Sequence, residues 1–165
     1  MRRVVFNQKG GVGKSSITCN LAAISAARGK RTLVVDLDPQ GNSSTGLGIE
    51  PTDRQYTAYE LLLDDVPMED MILRTEQPNL DLIPATVDLS SADIELVANE
   101  KRSFLLREAL RQAAMNALNY DYVLIDCPPS LSLLTVMALV CSNSLLVPLQ
   151  TEFFALEGLT QLMKT

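Results

Sequence analysis

The sequence predicts an α/β fold in which a doubly wound, mainly parallel sheet carries helices on both faces. Short apolar segments rich in β-branched residues alternate along the chain with longer segments whose apolar residues recur at helical spacing. The short segments are continuously apolar, which is typical of parallel strands that are covered on both sides. Ligands of such sheets bind at the carboxyl ends of the strands, so we expect a functional site at that edge.

Five segments are predicted to be strands because they are apolar and are bounded by turn residues or by charged ends. They span residues 3–7, 31–38, 80–85, 120–129 and 143–150. Helices are predicted in residues 15–30, 57–65, 68–75, 88–100, 103–118 and 131–142, and a last helix begins within residues 155–164. Residues 39–51 are rich in glycine, serine and asparagine and are predicted to form a loop.

The composition fits a single domain over residues 1–165 and excludes some kinds of site. The chain has a formal net charge of −6 and no histidine, which excludes a histidine-based metal site or general base. The acidic balance does not favour a protein that coats nucleic acid by bulk charge. Three cysteines without a CxxC pair suit a reducing cytosol, and no apolar run reaches membrane-spanning length. Because the sequence stops inside an amphipathic helix and leaves its last strand as an open edge, we expect a C-terminal truncation, with these residues forming the N-terminal part of a longer domain.

The stretch NQKGGVGKSS, from Asn7 to Ser16, joins the first predicted strand to the first predicted helix. A glycine-rich loop in this position presents backbone N–H groups to an anion, and the helix N-terminus adds partial positive charge. Lys14 would then reach the β- and γ-phosphates of a nucleotide, and the Ser15 hydroxyl would ligate Mg²⁺. This is the logic of a P-loop, although Gln8 occupies the position of the motif's first glycine.

Two other predicted strands end in aspartates that would face this loop. Asp36 and Asp38 are two residues apart, so their side chains point the same way along a strand. Asp126 follows four apolar residues, which is the Walker B pattern, and would hold Mg²⁺ through a water molecule.

The string KGGVGKS resembles the deviant Walker A motif of the ParA/MinD family of P-loop ATPases, and DLDPQGNSSTGLG is similar to the matching stretch of ParA/Soj-type partition proteins. The resemblance covers nearly the whole chain. It implies that Lys9 crosses a dimer interface to the nucleotide of a second copy, and that Gly10 lets the two loops approach closely. It also implies that Asp38 orients the attacking water and that residues 41–48 form a nucleotide-sensing switch. The predicted catalytic residues are Lys9, Lys14 and Asp38. The predicted metal site is Ser15, with Asp126 acting through a water molecule. The predicted nucleotide-binding residues are Lys9, Gly10, Gly11, Val12, Gly13, Lys14, Ser15 and Ser16.

The resemblance implies a DNA-partitioning ATPase that uses ATP and Mg²⁺ and hydrolyses ATP to ADP and phosphate. Mg-ATP would drive formation of a homodimer and non-specific binding to double-stranded DNA, and hydrolysis stimulated by a ParB-type centromere-binding protein would reset the switch. We expect a cytoplasmic, nucleoid-associated protein with no membrane partner, whose DNA-binding surface lies mostly outside this chain. The alternatives are a MinD-type membrane-associated positioning ATPase, an iron–sulfur scaffold or amide-forming ligase on the same fold, and a fragment too small to hold ATP.

Overall fold

The structure is a computed structural model that describes residues 2–6, 13–64, 66–148 and 159–165. Four of the predicted nucleotide-binding residues, Lys9, Gly10, Gly11 and Val12, lie outside the described residues, and their roles therefore stay predictions.

One sheet of six strands organises the described part of the chain, in the order β3-β4-β2-β5-β1-β6. All neighbouring strands are parallel except β3 and β4, which are antiparallel. This confirms the predicted mainly parallel sheet, and the predicted edge position of the last strand is confirmed by β6. The strands are β1 (Arg2–Val5), β2 (Thr32–Asp36), β3 (Leu73–Arg74), β4 (Leu80–Ile83), β5 (Tyr122–Asp126) and β6 (Ser144–Leu146).

Helices connect the strands, and residues 159–163 are helical as well. The local sequence explains several of them. In α5 the buried residues Leu106, Leu110 and Ala113 recur at helical spacing, and α3 begins with a capping box between Thr57 and Glu60. The helices are α1 (Lys14–Ala27), α2 (Asn42–Gly46), α3 (Ala58–Leu63), α4 (Ala92–Glu95), α5 (Leu105–Met115) and α6 (Leu133–Cys141). Within the described ranges, none of the helices has the length and apolar character needed to cross a bilayer.

Two apolar clusters pack on the sheet, as the doubly wound prediction requires. The smaller cluster joins Ala22 and Ala26 of α1 to Val34 and Leu124 of the central strands. The larger cluster uses the neighbouring strand residues, which point to the opposite face, and joins them to α5 and α6. Its members include Leu33, Val35, Ile125, Leu106, Leu110, Leu134 and Met137.

Two predicted helices differ from the structure. The helix predicted at 68–75 is a 3₁₀ turn at Met68–Asp70 followed by β3, and the helix predicted at 88–100 is reduced to a 3₁₀ turn at Val87–Ser91 and the single turn of α4. Met68 and Met71 are both buried and three residues apart, a spacing that also suits an α-helix. A two-residue strand such as β3 has no periodicity of its own and exists through its pairing with β4.

Candidate functional site

The N-terminus of α1 carries the lysine that was predicted to bind phosphate. Gly13 precedes the helix with φ of 82°, in the left-handed region that glycine adopts without strain. Lys14 is the first helical residue and is only 7% exposed, whereas Ser16 faces solvent. A buried ammonium beside the free N–H groups of a helix start concentrates positive charge at one point, which suits an anionic ligand.

The central strands bring the predicted aspartates to the same edge of the sheet. In the parallel pairing of β2 with β5, Asp36 lies directly beside Asp126, and both side chains are completely buried. Asp38 follows two residues later and is 6% exposed. The structure therefore brings together the carboxylates that the sequence placed at the ends of separate strands.

Asp126 is held by hydroxyl groups from two different elements. The hydroxyl of Ser15, in α1, and the hydroxyl of Ser43, in α2, each donate a hydrogen bond of 2.6 Å to Asp126 Oδ2. The other carboxylate oxygen, Oδ1, is buried and has no hydrogen-bond partner among the described residues. A buried acceptor without a donor is costly, so this atom marks the place where a further group is expected to bind.

Asp36 anchors the backbone that follows β2. Its Oδ1 accepts a hydrogen bond from the Asp38 N–H at 3.1 Å, and its Oδ2 accepts one from the Ser44 N–H and one from the Ser44 hydroxyl. The Ser44 hydroxyl in turn accepts a hydrogen bond from the Ala85 N–H, just after β4. Asp36 thus fixes both the position of Asp38 and the start of α2.

The electrostatics of the two buried carboxylates favour a cation. Burial raises the pKa of Asp36 to about 7, and the negative charge of Asp126 adds to this effect. Burial likewise raises the pKa of Asp126, and hydrogen bonds from Ser15 and Ser43 and the charge of Lys14 partly oppose the rise. Ionisation of both aspartates is therefore unfavourable until positive charge reaches this edge of the sheet.

A cleft of about 610 Å³ opens beside these groups. Its size suits a small-molecule ligand, and it lies at the carboxyl ends of the parallel strands, where ligands of such sheets bind. The predicted site residues that line the cleft are Gly13, Lys14, Ser15, Ser16 and Asp38.

The donor set fits Mg²⁺ shared with a phosphate ligand. Because the Ser15 hydroxyl uses its single O–H group to donate a hydrogen bond to Asp126, the lone pairs of its oxygen remain available to a metal ion. The unpartnered Oδ1 of Asp126 is an acceptor for a metal-bound water. In the part of the chain that the structure describes, no cluster of three or more His, Cys, Asp or Glu side chains could hold a metal by itself. Mg²⁺ keeps several waters and is commonly held by one or two side chains together with substrate phosphates.

Comparison with known families matches residues 3–165 to a family model described as an AAA domain. The chain belongs to this AAA domain family. It is 54% identical over 161 residues to the chromosome partitioning protein ParA of Caulobacter vibrioides, covering 98% of this chain and 60% of that protein. It is 51% identical to the sporulation initiation inhibitor protein Soj of Bacillus subtilis, covering 98% of this chain and 62% of that one. The resemblance to ParA/Soj-type proteins is thereby confirmed, and the chain spans about three fifths of the length of these relatives.

Solved structures show the same fold with nucleotides bound. A structure of cobyrinic acid a,c-diamide synthase from Mycobacterium smegmatis, with bound ADP and magnesium, has a TM-score of 0.91 and 37% identity and covers 99% of this chain and 65% of that one. A plasmid partition protein from Borrelia burgdorferi bound to AMPPNP has a TM-score of 0.81 and 29% identity, with 99% and 68% coverage. These neighbours confirm the P-loop NTPase-like fold of the AAA domain described above.

No individual role was predicted for three residues that build the site, although Ser43 and Ser44 lie in the segment 41–48 that the resemblance assigns to a nucleotide-sensing switch. Residues 39–51 were predicted to be a loop, but residues 42–46 form α2, in which Ser43 and Ser44 are completely buried. Arg54 is also nearly buried, and its guanidinium donates hydrogen bonds to the Thr45 hydroxyl and to the carbonyls of Ile49 and Ala85. Adjacent serines after a strand that ends in aspartates were the available signal, since donors are needed where carboxylates are buried.

Proposed function

We propose that this chain is the nucleotide-binding domain of a partitioning ATPase, in which Mg-ATP binding and hydrolysis switch the protein between two states. The observation that carries the proposal is the buried Asp126 carboxylate, with one oxygen held by Ser15 and the other unpartnered, beside a cleft lined by Lys14 and Asp38. Relatives at 52–54% identity that are named chromosome partitioning proteins support the same assignment.

Each described residue of the site has a role that follows from its position. The ammonium of Lys14 would bind the terminal phosphates at the start of α1. Ser15 would contribute a metal ligand while donating a hydrogen bond to Asp126, and Asp126 would accept a hydrogen bond from a metal-bound water. Magnesium would supply neutralisation of the phosphate charge.

Asp38 is the residue proposed to orient the attacking water. It lines the cleft, its backbone N–H donates a hydrogen bond to Asp36 Oδ1, and its side-chain Oδ1 accepts one from the Gln40 N–H at 3.0 Å. A carboxylate held in this way can position a nucleophile with little reorganisation, and phosphoryl transfer depends largely on such positioning.

The proposal extends to partners that the relatives suggest. We infer an ATP-dependent homodimer in which Lys9 of each copy reaches the nucleotide of the other. We also infer non-specific binding to double-stranded DNA in a nucleoid-associated, cytoplasmic protein, and stimulation of hydrolysis by a ParB-type protein. Residues 1–165 would form a single P-loop ATPase domain. Sedimentation with long double-stranded DNA in the presence of ATP or ADP tests the DNA-binding part.

One alternative has support from a specific comparison. The structural similarity to cobyrinic acid a,c-diamide synthase favours an amide-forming ligase on the same fold. The identity to that structure is 37%, against 54% for the Caulobacter ParA protein, so partitioning is the better supported function. ATP turnover that requires a small carboxylic acid and an amide donor would establish the alternative.

The direct test of the proposal is Mg-ATP binding by wild type and by Lys14→Ala. Loss of a charge-assisted contact to phosphate is expected to weaken binding by about 10- to 100-fold. Lys30→Ala removes an exposed lysine far from the cleft and is the matched control, for which wild-type affinity is expected. Equal affinity of wild type and Lys14→Ala would refute the assignment of the cleft.

A further inference from the structure

We propose that Ser43 is a positioning residue for the magnesium site: its hydroxyl orients Asp126 and thereby links α2, which follows Asp38, to the metal. This inference rests on the proposed function, because it assumes that Mg²⁺ binds at Ser15 and Asp126. Ser43 does not belong to the predicted phosphate loop; it lies in the segment 41–48 that the resemblance assigns to a nucleotide-sensing switch, and no role at the metal was predicted for it.

The geometry of Asp126 carries the inference. Ser43 is completely buried and donates to Asp126 Oδ2 at 2.6 Å, the same distance as the Ser15 hydroxyl. Two donors on one oxygen fix the plane of the carboxylate and leave the other oxygen, Oδ1, buried and unpartnered. The carboxylate is therefore already oriented with a free acceptor for a metal-bound water before any metal arrives.

The hydroxyl of Ser43 is not required to hold α2 in place. The next residue, Ser44, is bonded to Asp36 and Ala85, and the Arg54 guanidinium bonds the Thr45 hydroxyl. Alanine at position 43 would keep the small volume and the helical backbone, so the Ser43→Ala variant is expected to fold. The hydrogen bond to Asp126 is then the interaction that this substitution removes.

The expected consequence concerns metal affinity. Without Ser43, Asp126 keeps one of its two hydroxyl donors, and its carboxylate becomes free to rotate away from the orientation that exposes Oδ1 to the metal. Removing a group that orients a metal ligand typically lowers metal affinity by about 10- to 100-fold. Because Asp126 would touch the metal through water, we expect the lower end, about tenfold.

The test is a titration of a fluorescent ADP analogue at a series of free Mg²⁺ concentrations and in EDTA. For Ser43→Ala, the Mg²⁺ concentration that gives half of the metal-dependent gain in affinity is expected to rise about tenfold. Affinity in EDTA is expected to stay within about twofold of wild type, since the phosphate contacts are unchanged. Ser90→Ala is the control, because it removes an exposed hydroxyl that donates to the Val87 carbonyl, outside the cleft.

The outcomes distinguish the inference about Ser43 from the proposed function on which it rests. A superimposable Mg²⁺ titration for wild type and Ser43→Ala would overturn the inference and leave the proposed function standing. An equal loss of affinity in Mg²⁺ and in EDTA, with a lower thermal unfolding midpoint, would assign Ser43 a purely structural role and would also overturn it. A wild-type protein whose affinity for the ADP analogue did not depend on Mg²⁺ would refute the proposed metal site itself, and the inference with it.

Discussion

The folding stability of the nucleotide-free protein is expected to fall as the pH rises from 4.5 to 7.5, and Asp36 is the main cause. Burial and the neighbouring Asp126 charge raise the pKa of Asp36 from 3.8 to about 7. Between these two values the folded protein keeps a proton that the unfolded chain has released. Stability from this group is therefore fully present below pH 3.8 and is lost as the pH rises through 7.

The magnitude follows from the size of the pKa shift. A rise of about three pKa units corresponds to about 4 kcal/mol, and about 3 kcal/mol of this would be lost between pH 4.5 and 7.5. Domains of this kind are stable by about 5–15 kcal/mol, so the loss is a substantial fraction of the total. Burial raises the pKa of Asp126 as well, which acts in the same direction.

The assay is urea denaturation of wild type and Asp36→Asn at several pH values, without nucleotide and with EDTA. Asparagine cannot satisfy all the donors that face Asp36, so the variant is expected to be less stable at pH 4.5 by about 1–3 kcal/mol or more. Between pH 4.5 and 7.5 the difference in the free energy of unfolding is expected to change by about 3 kcal/mol in favour of the variant, because the variant lacks the titrating group. Asp53→Asn, at an exposed position outside the cleft, is the control and is expected to run parallel to wild type. A difference between wild type and Asp36→Asn that stays constant over this pH range would refute the reasoning.

Two further predictions concern the packing of Arg54 against α2. Gly41→Ala is expected to destabilise the protein by about 2–3 kcal/mol, because Gly41 has φ of 65° and an added Cβ would lie 2.6 Å from Arg54 Nη1. A urea denaturation midpoint equal to that of wild type would contradict this prediction. Arg54→Met is expected to lower the free energy of unfolding by about 3 kcal/mol in the same assay, because it removes the guanidinium donors from the buried carbonyl of Ala85 and from the carbonyl of Ile49. A decrease below about 1 kcal/mol would show that water replaces these donors.

The sheet could be predicted from the sequence because its central strands are continuously apolar. Val34, Leu124 and their neighbours are buried on both faces of the sheet, so each of these strands can be recognised from its own sequence without knowledge of its partners. β3 could not be predicted, since its two residues become a strand only through pairing with β4. The same limit applies to α2, where glycine, serine and asparagine favour a loop locally and the helix is anchored by the bonds of Ser44 to Asp36.

The residues of the site also differ in whether the local sequence could predict them. Lys14, Ser15 and Asp126 belong to short motifs whose spacing along the chain reflects their chemistry. The structure places Lys14 and Ser15 in the lining of one cleft and hydrogen-bonds Ser15 to Asp126. Ser43 lies in the predicted nucleotide-sensing switch, but no motif indicates its contact with Asp126, because this partner is 83 residues away. Donors that form hydrogen bonds to a buried carboxylate can be identified only once the fold has brought the strands together.

The central claim, that Mg-ATP switches this chain between two association states, is tested most directly by sedimentation velocity with ATP and with ADP. Asp38→Ala is the variant to compare with wild type, because it would keep the phosphate and metal contacts while removing the group proposed to orient water. The account predicts a dimer of Asp38→Ala with Mg-ATP and a monomer with Mg-ADP, and a monomer of Lys14→Ala with either nucleotide. A variant Asp38→Ala that binds Mg-ATP and remains a monomer would contradict it.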